Sequence, residues 1–167
     1  ATPKGANDFI MDLTEELPYR YFIKGRPGSG KSTMLKKLAD SGIEKGFHVE
    51  IYHCGFDPNS LDMLVVRELG FAIFDSTAPH EYDPDPSREG DQIIDMYSAC
   101  FPPGTDEAHE TALTPIAGRY KSLMKQGTMH LAKAKDLRDK MDLIYESSLD
   151  LNRQKRLILL KDMVKSF

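Results

Sequence analysis

The segment Gly25-Arg26-Pro27-Gly28-Ser29-Gly30-Lys31-Ser32 constrains this chain more than any other. It fits G-x-x-x-x-G-K-[ST] at every fixed position. The glycines open backbone angles closed to other residues, so the segment can turn tightly and wrap a small anion with its N–H groups. Such a loop works between a buried strand and the first turn of a helix, whose positive end adds to the attraction. The flanks supply both. Tyr21, Phe22 and Ile23 are the apolar centre of a strand over 20–24, and Met34, Leu35, Leu38 and Ala39 share one face of a helix over 31–45 that Gly46 stops.

Read as a P-loop, the segment assigns its residues to phosphate chemistry. Gly25, Arg26, Pro27, Gly28, Ser29, Gly30, Lys31, Ser32 and Thr33 form the nucleotide-binding set. Lys31 reaches the β- and γ-phosphates, and the Ser32 hydroxyl is placed on Mg²⁺. A second acidic group is expected at the end of a neighbouring strand. Asp75, after Phe71-Ala72-Ile73-Phe74, fits that place as a metal-holding and catalytic residue. Asp57, just past the next strand, is its rival and could instead face an attacking group. Ser76 follows Asp75 where many hydrolytic P-loop enzymes carry a water-polarising glutamate, so that role is open to His80 and Glu81. The catalytic set is therefore Lys31, Asp75 and His80.

Elsewhere the pattern is α/β. A helix over 7–17 with Asn7 as its cap, a strand over 47–54, a short helix from Asn59 or Ser60 through Val66 and a buried strand over 71–74 complete the first half. The order strand–helix–strand–helix–strand predicts a parallel, right-handed unit. Residues 78–91 are polar and proline-rich, as expected of a lid loop, and 91–99 reads as a short helix. From Thr105 to Tyr145 a stripe of Tyr120, Leu123, Leu131, Ala134, Leu137, Met141 and Ile144 recurs at helical spacing, with Pro115 in its first turn or at a kink. Residues 151–167 predict a last amphipathic helix. The expected fold is a three-layer P-loop NTPase-like core with a small parallel sheet over 1–104, and a C-terminal α-helical hairpin over 105–167 packed on it.

Bulk properties exclude several classes. At 167 residues, 40% hydrophobic and 29% charged, the chain can bury a core. No apolar run approaches the roughly 18 residues of a membrane span. A net charge of −4 makes nucleic acid an unfavoured partner. Cys54 and Cys100 match no disulfide framework, which predicts a reducing, cytoplasmic setting. His53, Cys54 and His80 could meet at strand ends, but zinc would need a fourth ligand. Arg67, Arg88 and Arg119 are candidate arginine fingers, each weighed against an ordinary surface arginine.

Three segments carry a likeness. They are Arg20-Tyr-Phe-Ile-Lys-Gly-Arg-Pro-Gly-Ser-Gly-Lys-Ser-Thr33, Tyr52-His-Cys-Gly-Phe-Asp-Pro-Asn-Ser-Leu-Asp-Met63 and Glu68-Leu-Gly-Phe-Ala-Ile-Phe-Asp-Ser-Thr-Ala-Pro-His80. Together they resemble an uncharacterised family of bacterial P-loop ATPases built from two similar halves, of which this chain looks like the second. The resemblance implies ATP and Mg²⁺ as ligands, Asp75, Thr77 and His80 as site residues, and a partner that is the other half or a homodimer mate. A chain opening on Ala1 is expected of a piece cut from such a longer polypeptide. Three functions stay open: Mg²⁺-dependent ATP hydrolysis, transfer of the γ-phosphate to a small acceptor, and nucleotide-gated assembly without turnover. No guanine-reading N-K-x-D sequence occurs, which favours ATP.

Overall fold

The computed structural model describes residues 1–78, 81–150 and Lys155. A short helix α1 (Ile10–Thr14) precedes strand β1 (Tyr19–Lys24). Helix α2 (Lys31–Glu44) follows the glycine-rich loop, and β2 (Glu50–His53) and β3 (Leu61–Val66) come next. A 3-10 turn (Arg67–Leu69) leads into β4 (Phe71–Asp75). The remaining elements are β5 (Asp91–Asp95), α3 (Met96–Cys100) and α4 (Thr105–Glu146).

The five strands form one mixed sheet in the order β2-β3-β4-β1-β5. β1 runs parallel to both β4 and β5, while β3 is antiparallel to β2 and β4. Two expectations fail here. Residues 61–66 are a strand instead of a helix, so the chain crosses from β2 to β4 through a hairpin. The sheet is therefore mixed instead of all-parallel. Leu and Met favour helices in isolation, but Leu64, Val65 and Val66 sit between two strands and are covered on both faces, and that burial decides. The Asp57 carbonyl accepts from the Ser60 amide and the Asp57 carboxylate from the Asn59 amide, which makes 57–60 the hairpin turn, not a helix cap.

Alternation along the strands splits the core into two. Phe22, Met63, Val65, Ala72 and Phe74 face Ile10 and Leu17 at α1. Ile23, Leu64 and Ile73 face Leu35 and Ala39 of α2. Leu61 joins the α2 side although Met63, two residues on, lies opposite. The register shift at Tyr52/His53 is the reason: His53 pairs with Leu61 and Tyr52 with Met63, so one extra residue of β3 bulges between them. At α1 the helix is shorter than expected, and Asp8, not Asn7, accepts from the first helical amide, that of Ile10.

Residues 91–99 divide into β5 and α3, correcting the single helix expected there. Asp95 ends the strand and caps the helix, its carboxylate accepting from the Tyr97 and Ser98 amides and the Ser98 hydroxyl, which lowers its pKa. α4 is one unbroken helix of 42 residues, about 63 Å at 1.5 Å per residue, and it continues through Pro115. None of its residues is fully buried. The second arm of the expected hairpin lies outside the described residues, Lys155 excepted. Among the described residues no helix is long and apolar enough to cross a membrane.

The loop between β4 and β5 is fixed by Asp91, whose side chain is wholly buried. The Arg20 guanidinium grips it with two bonds, Nε to Oδ1 at 2.7 Å and Nη2 to Oδ2 at 2.5 Å. The Asp85 amide donates to the same carboxylate, and Arg88 lies 3.5 Å away while donating to the carbonyls of Glu15 and Leu17. At Gly90 a Cβ would lie 1.7 Å from the Pro18 carbonyl oxygen, so only glycine lets the chain enter β5 here.

The bond from Arg20 holds the Asp91 carboxyl below its ordinary value of 3.8. A depressed acid stabilises the fold above its unfolded pKa and loses that contribution as pH falls through the folded value. Asp91→Asn leaves the Arg20 charge buried and half-paired, and should cost about 3 kcal/mol in urea unfolding at neutral pH. The gap between variant and parent should close as pH drops from about 3.8 downward.

Candidate functional site

The glycine-rich loop joins β1 to α2 with both Gly28 (φ 84°) and Gly30 (φ 87°) in the left-handed region. A Cβ on Gly25 would sit 2.8 Å from the Ser29 hydroxyl and 3.3 Å from the Cβ of Met96, so the first glycine is required by space. α3 therefore supports the loop from below through Met96. The Cys100 thiol also reaches the Ser29 carbonyl, at 3.8 Å.

Parallel pairing of β1 with β4 sets the second half of the site. Ile23 lies opposite Asp75, and the Ser76 amide donates to the Ile23 carbonyl at 2.9 Å. Both strands thus end at the loop. The Lys31 ammonium donates to the carbonyls of Gly25 and Arg26, each at 3.1 Å, and lies 3.7 Å from Oδ2 of Asp75. Oδ1 of Asp75 accepts from both the amide and the hydroxyl of Thr77, at 3.1 and 2.6 Å. The carboxylate is therefore oriented, with one oxygen tied to the backbone and the other turned to Lys31.

Ser32 stands in the first turn of α2, where its hydroxyl oxygen accepts from the Leu61 amide at 3.0 Å. A hydroxyl has a second lone pair, so this bond leaves it able to meet a cation. A cavity of about 350 Å³ collects the loop residues from Pro27 to Thr33 together with Ser60 and Asp75. Ser29 also lines this cavity, but its hydroxyl is turned toward Gly25 and is buried without a hydrogen-bond partner among the described residues.

Other candidates fall in different places. Arg26 forms an ion pair with Asp106 at the start of α4 and lies 5.2 Å over the Tyr97 ring, so its guanidinium is turned toward α3 and α4. Arg67 pairs with Glu50 on β2, and Arg88 belongs to the Asp91 cluster. Asp57 and Asp75 line one cavity, together with Lys31. Pro79 and His80 lie outside the described residues. His53 is bonded to the Pro58 carbonyl at 2.7 Å, and no group of three His, Cys, Asp or Glu that could hold a metal occurs among the described residues. Glu81 lines a cavity of about 560 Å³ together with Lys24, Lys31, Asp83, Tyr97 and Tyr120.

Most of the loop expected to act as a lid is anchored. Tyr82 exchanges two bonds with the Ser76 hydroxyl, and its own hydroxyl donates to Asp8 at 2.7 Å, which pushes its pKa up to about 12. Lys24 holds the Tyr82 carbonyl and the Asp83 carboxylate.

Sequence reasoning missed Ser60, Leu61, Tyr120 and Met124 as neighbours of the site. The first two were hidden by the helix reading of 59–66. Tyr120 carries no local signal beyond its place in the apolar stripe of α4. The chain matches no protein-family model, no curated protein and no solved structure.

Removing the Ser32 hydroxyl leaves the Leu61 amide without its acceptor. Ser32→Ala should lower stability by about 1 kcal/mol in urea unfolding. Ser32→Thr, which keeps the oxygen, should lose less.

Proposed function

We propose that the chain binds Mg-ATP on the Gly25–Ser32 loop and hydrolyses it slowly, as a P-loop NTPase-like domain. The observation that carries this reading is the meeting of Lys31 and Asp75 at 3.7 Å over a glycine-turned helix N-terminus, in the cavity that Ser32 also lines. A lone Lys–Asp pair would be an ordinary salt bridge. Here the lysine is instead held at two loop carbonyls, and the aspartate is fixed by Thr77 on its far oxygen.

The donor set fits Mg²⁺. Ser32 and Asp75 offer hard oxygens, and this ion is commonly held by one or two protein groups with phosphates and waters completing its shell. Held there by Ser32 and Asp75, the ion would neutralise negative charge developing on the phosphate. The chain's own residues do the rest. Gly28 and Gly30 let the backbone curl around the phosphates. The N-terminus of α2 adds its positive end. Lys31 leaves its carbonyl partners for the β–γ bridge, where its charge opposes the negative charge of the leaving diphosphate. Thr77 holds Asp75 for the ion. The residue that orients water is His80 or Glu81 in this reading.

Two free thiols and an acidic surface suit a reducing, cytoplasmic setting without nucleic acid as partner. The family resemblance adds a second P-loop half, or a second copy, as the missing partner.

Phosphate release from Mg-ATP tests the reading. Release should require Mg²⁺ and vanish in Lys31→Ala. Calorimetry should show Mg-ATP binding weakened at least tenfold, on the order of 2 kcal/mol for a lost charge-assisted contact. Equal binding by parent and variant would overturn it.

A further inference from the structure

The phosphate cavity does not end at Asp75. Pro27, Lys31, Ser60 and Asp75 also line a second cavity of about 570 Å³, which Phe56, Ala78, Tyr120 and Met124 close on its outer side. Those four residues in turn line a third cavity, of about 350 Å³, that runs on under α4 to Lys121, Lys125 and Thr128. The shared lining residues place the three cavities side by side along a cleft from the P-loop to α4. Each part lies within the roughly 300–1,000 Å³ of small-molecule pockets.

The cleft is chemically graded. Its inner end offers the Asp57 carboxylate, which accepts hydrogen bonds. Its middle is apolar, with Phe56 and Tyr120 as two exposed rings and the Met124 thioether. Its outer end offers the donors Lys121 and Lys125. A ligand matching this order has hydroxyls at one end, a flat ring in the middle and ring oxygens or nitrogens that accept at the other. Rings in such a place stack on aromatic side chains, and a methionine adapts to the remaining gap.

We propose that this cleft is an acceptor site for a nucleoside or a nucleoside-like small molecule. The inference rests on the nucleotide-binding reading, because Asp75 and Lys31 place the γ-phosphate at the inner end of the cleft. The acceptor hydroxyl oxygen forms a bond to the γ-phosphorus. The bond from that phosphorus to the β–γ bridging oxygen breaks, and its electron pair leaves on the diphosphate. The hydroxyl proton passes to the Asp57 carboxylate. The products are ADP and a phosphorylated nucleoside, with free phosphate arising only when water takes the acceptor's place.

The experiment incubates the protein with Mg-ATP and each of adenosine, guanosine, cytidine, uridine and thymidine, and measures phosphorylated nucleoside and free phosphate separately. Calorimetry with the same nucleosides gives their affinities in parent, Tyr120→Ala, Tyr120→Phe and Asp57→Asn. At least one nucleoside should bind and be phosphorylated. Tyr120→Ala should weaken its binding tenfold or more with Mg-ATP affinity within twofold of the parent, Tyr120→Phe should restore it, and Asp57→Asn should bind it but not transfer. Thermal melting checks that each variant is folded. No binding by any of the five overturns the proposal. So does an equal loss of Mg-ATP affinity in Tyr120→Ala, which would make the cleft the pocket for the base of ATP itself. Failure of the nucleotide reading is separate: the parent would then not bind Mg-ATP before any nucleoside is added.

Discussion

The parallel pairing of β1 with β4 is the constraint on which the rest of the site depends. It brings two chain segments about fifty residues apart side by side inside the sheet, with Ile23 beside Asp75 at the same end. From that register follow the position of the loop after β1, the start of α2, and the approach of Lys31 to the aspartate. A slip of one residue would turn Asp75 to the opposite face of the sheet. The register is guarded by the two cores, since Phe22 and Phe74 pack edge to face at 4.6 Å on one side while Ile23 and Ile73 serve the other.

The loop and the strand that feeds it could be read directly from the sequence, because each fixed residue there has a local reason. The same holds for Phe71–Asp75, whose unbroken apolar run announces burial on both faces. Residues 61–66 could not be read this way. Leu61, Met63 and Leu64 have helical preferences, and only the neighbouring strands overrule them. Asp91 was equally illegible. Nothing near it in sequence says that Arg20, seventy-one positions away, will grip it, so its strand passed for the start of a helix. At the site, Lys31, Ser32 and Asp75 were found by motif and spacing. Tyr120 and Met124 were not, since their place beside the loop cavity depends on where a long, exposed helix passes the sheet.

Misreading β3 has a functional side. Its first amide is the group that fixes Ser32, and the turn before it carries Asp57 and Ser60 to the cavity. The antiparallel hairpin therefore contributes to the candidate site as well as widening the sheet. The bulge at its head sends Leu61 into the core under α2. Side chains of the preceding turn stay at the surface, where a ligand can meet them.

α4 lines the cleft from Ala117 to Thr128 and then continues to Glu146 without entering the core. Mechanically it is a rod resting on a pivot. From Tyr120 to Glu146 the rod is about 39 Å long at 1.5 Å per residue. A tilt of about 5° at the pivot sweeps the far end through more than 3 Å by simple geometry over that length. A small change of angle at Tyr120 is thus amplified at a point far from the glycine-rich loop.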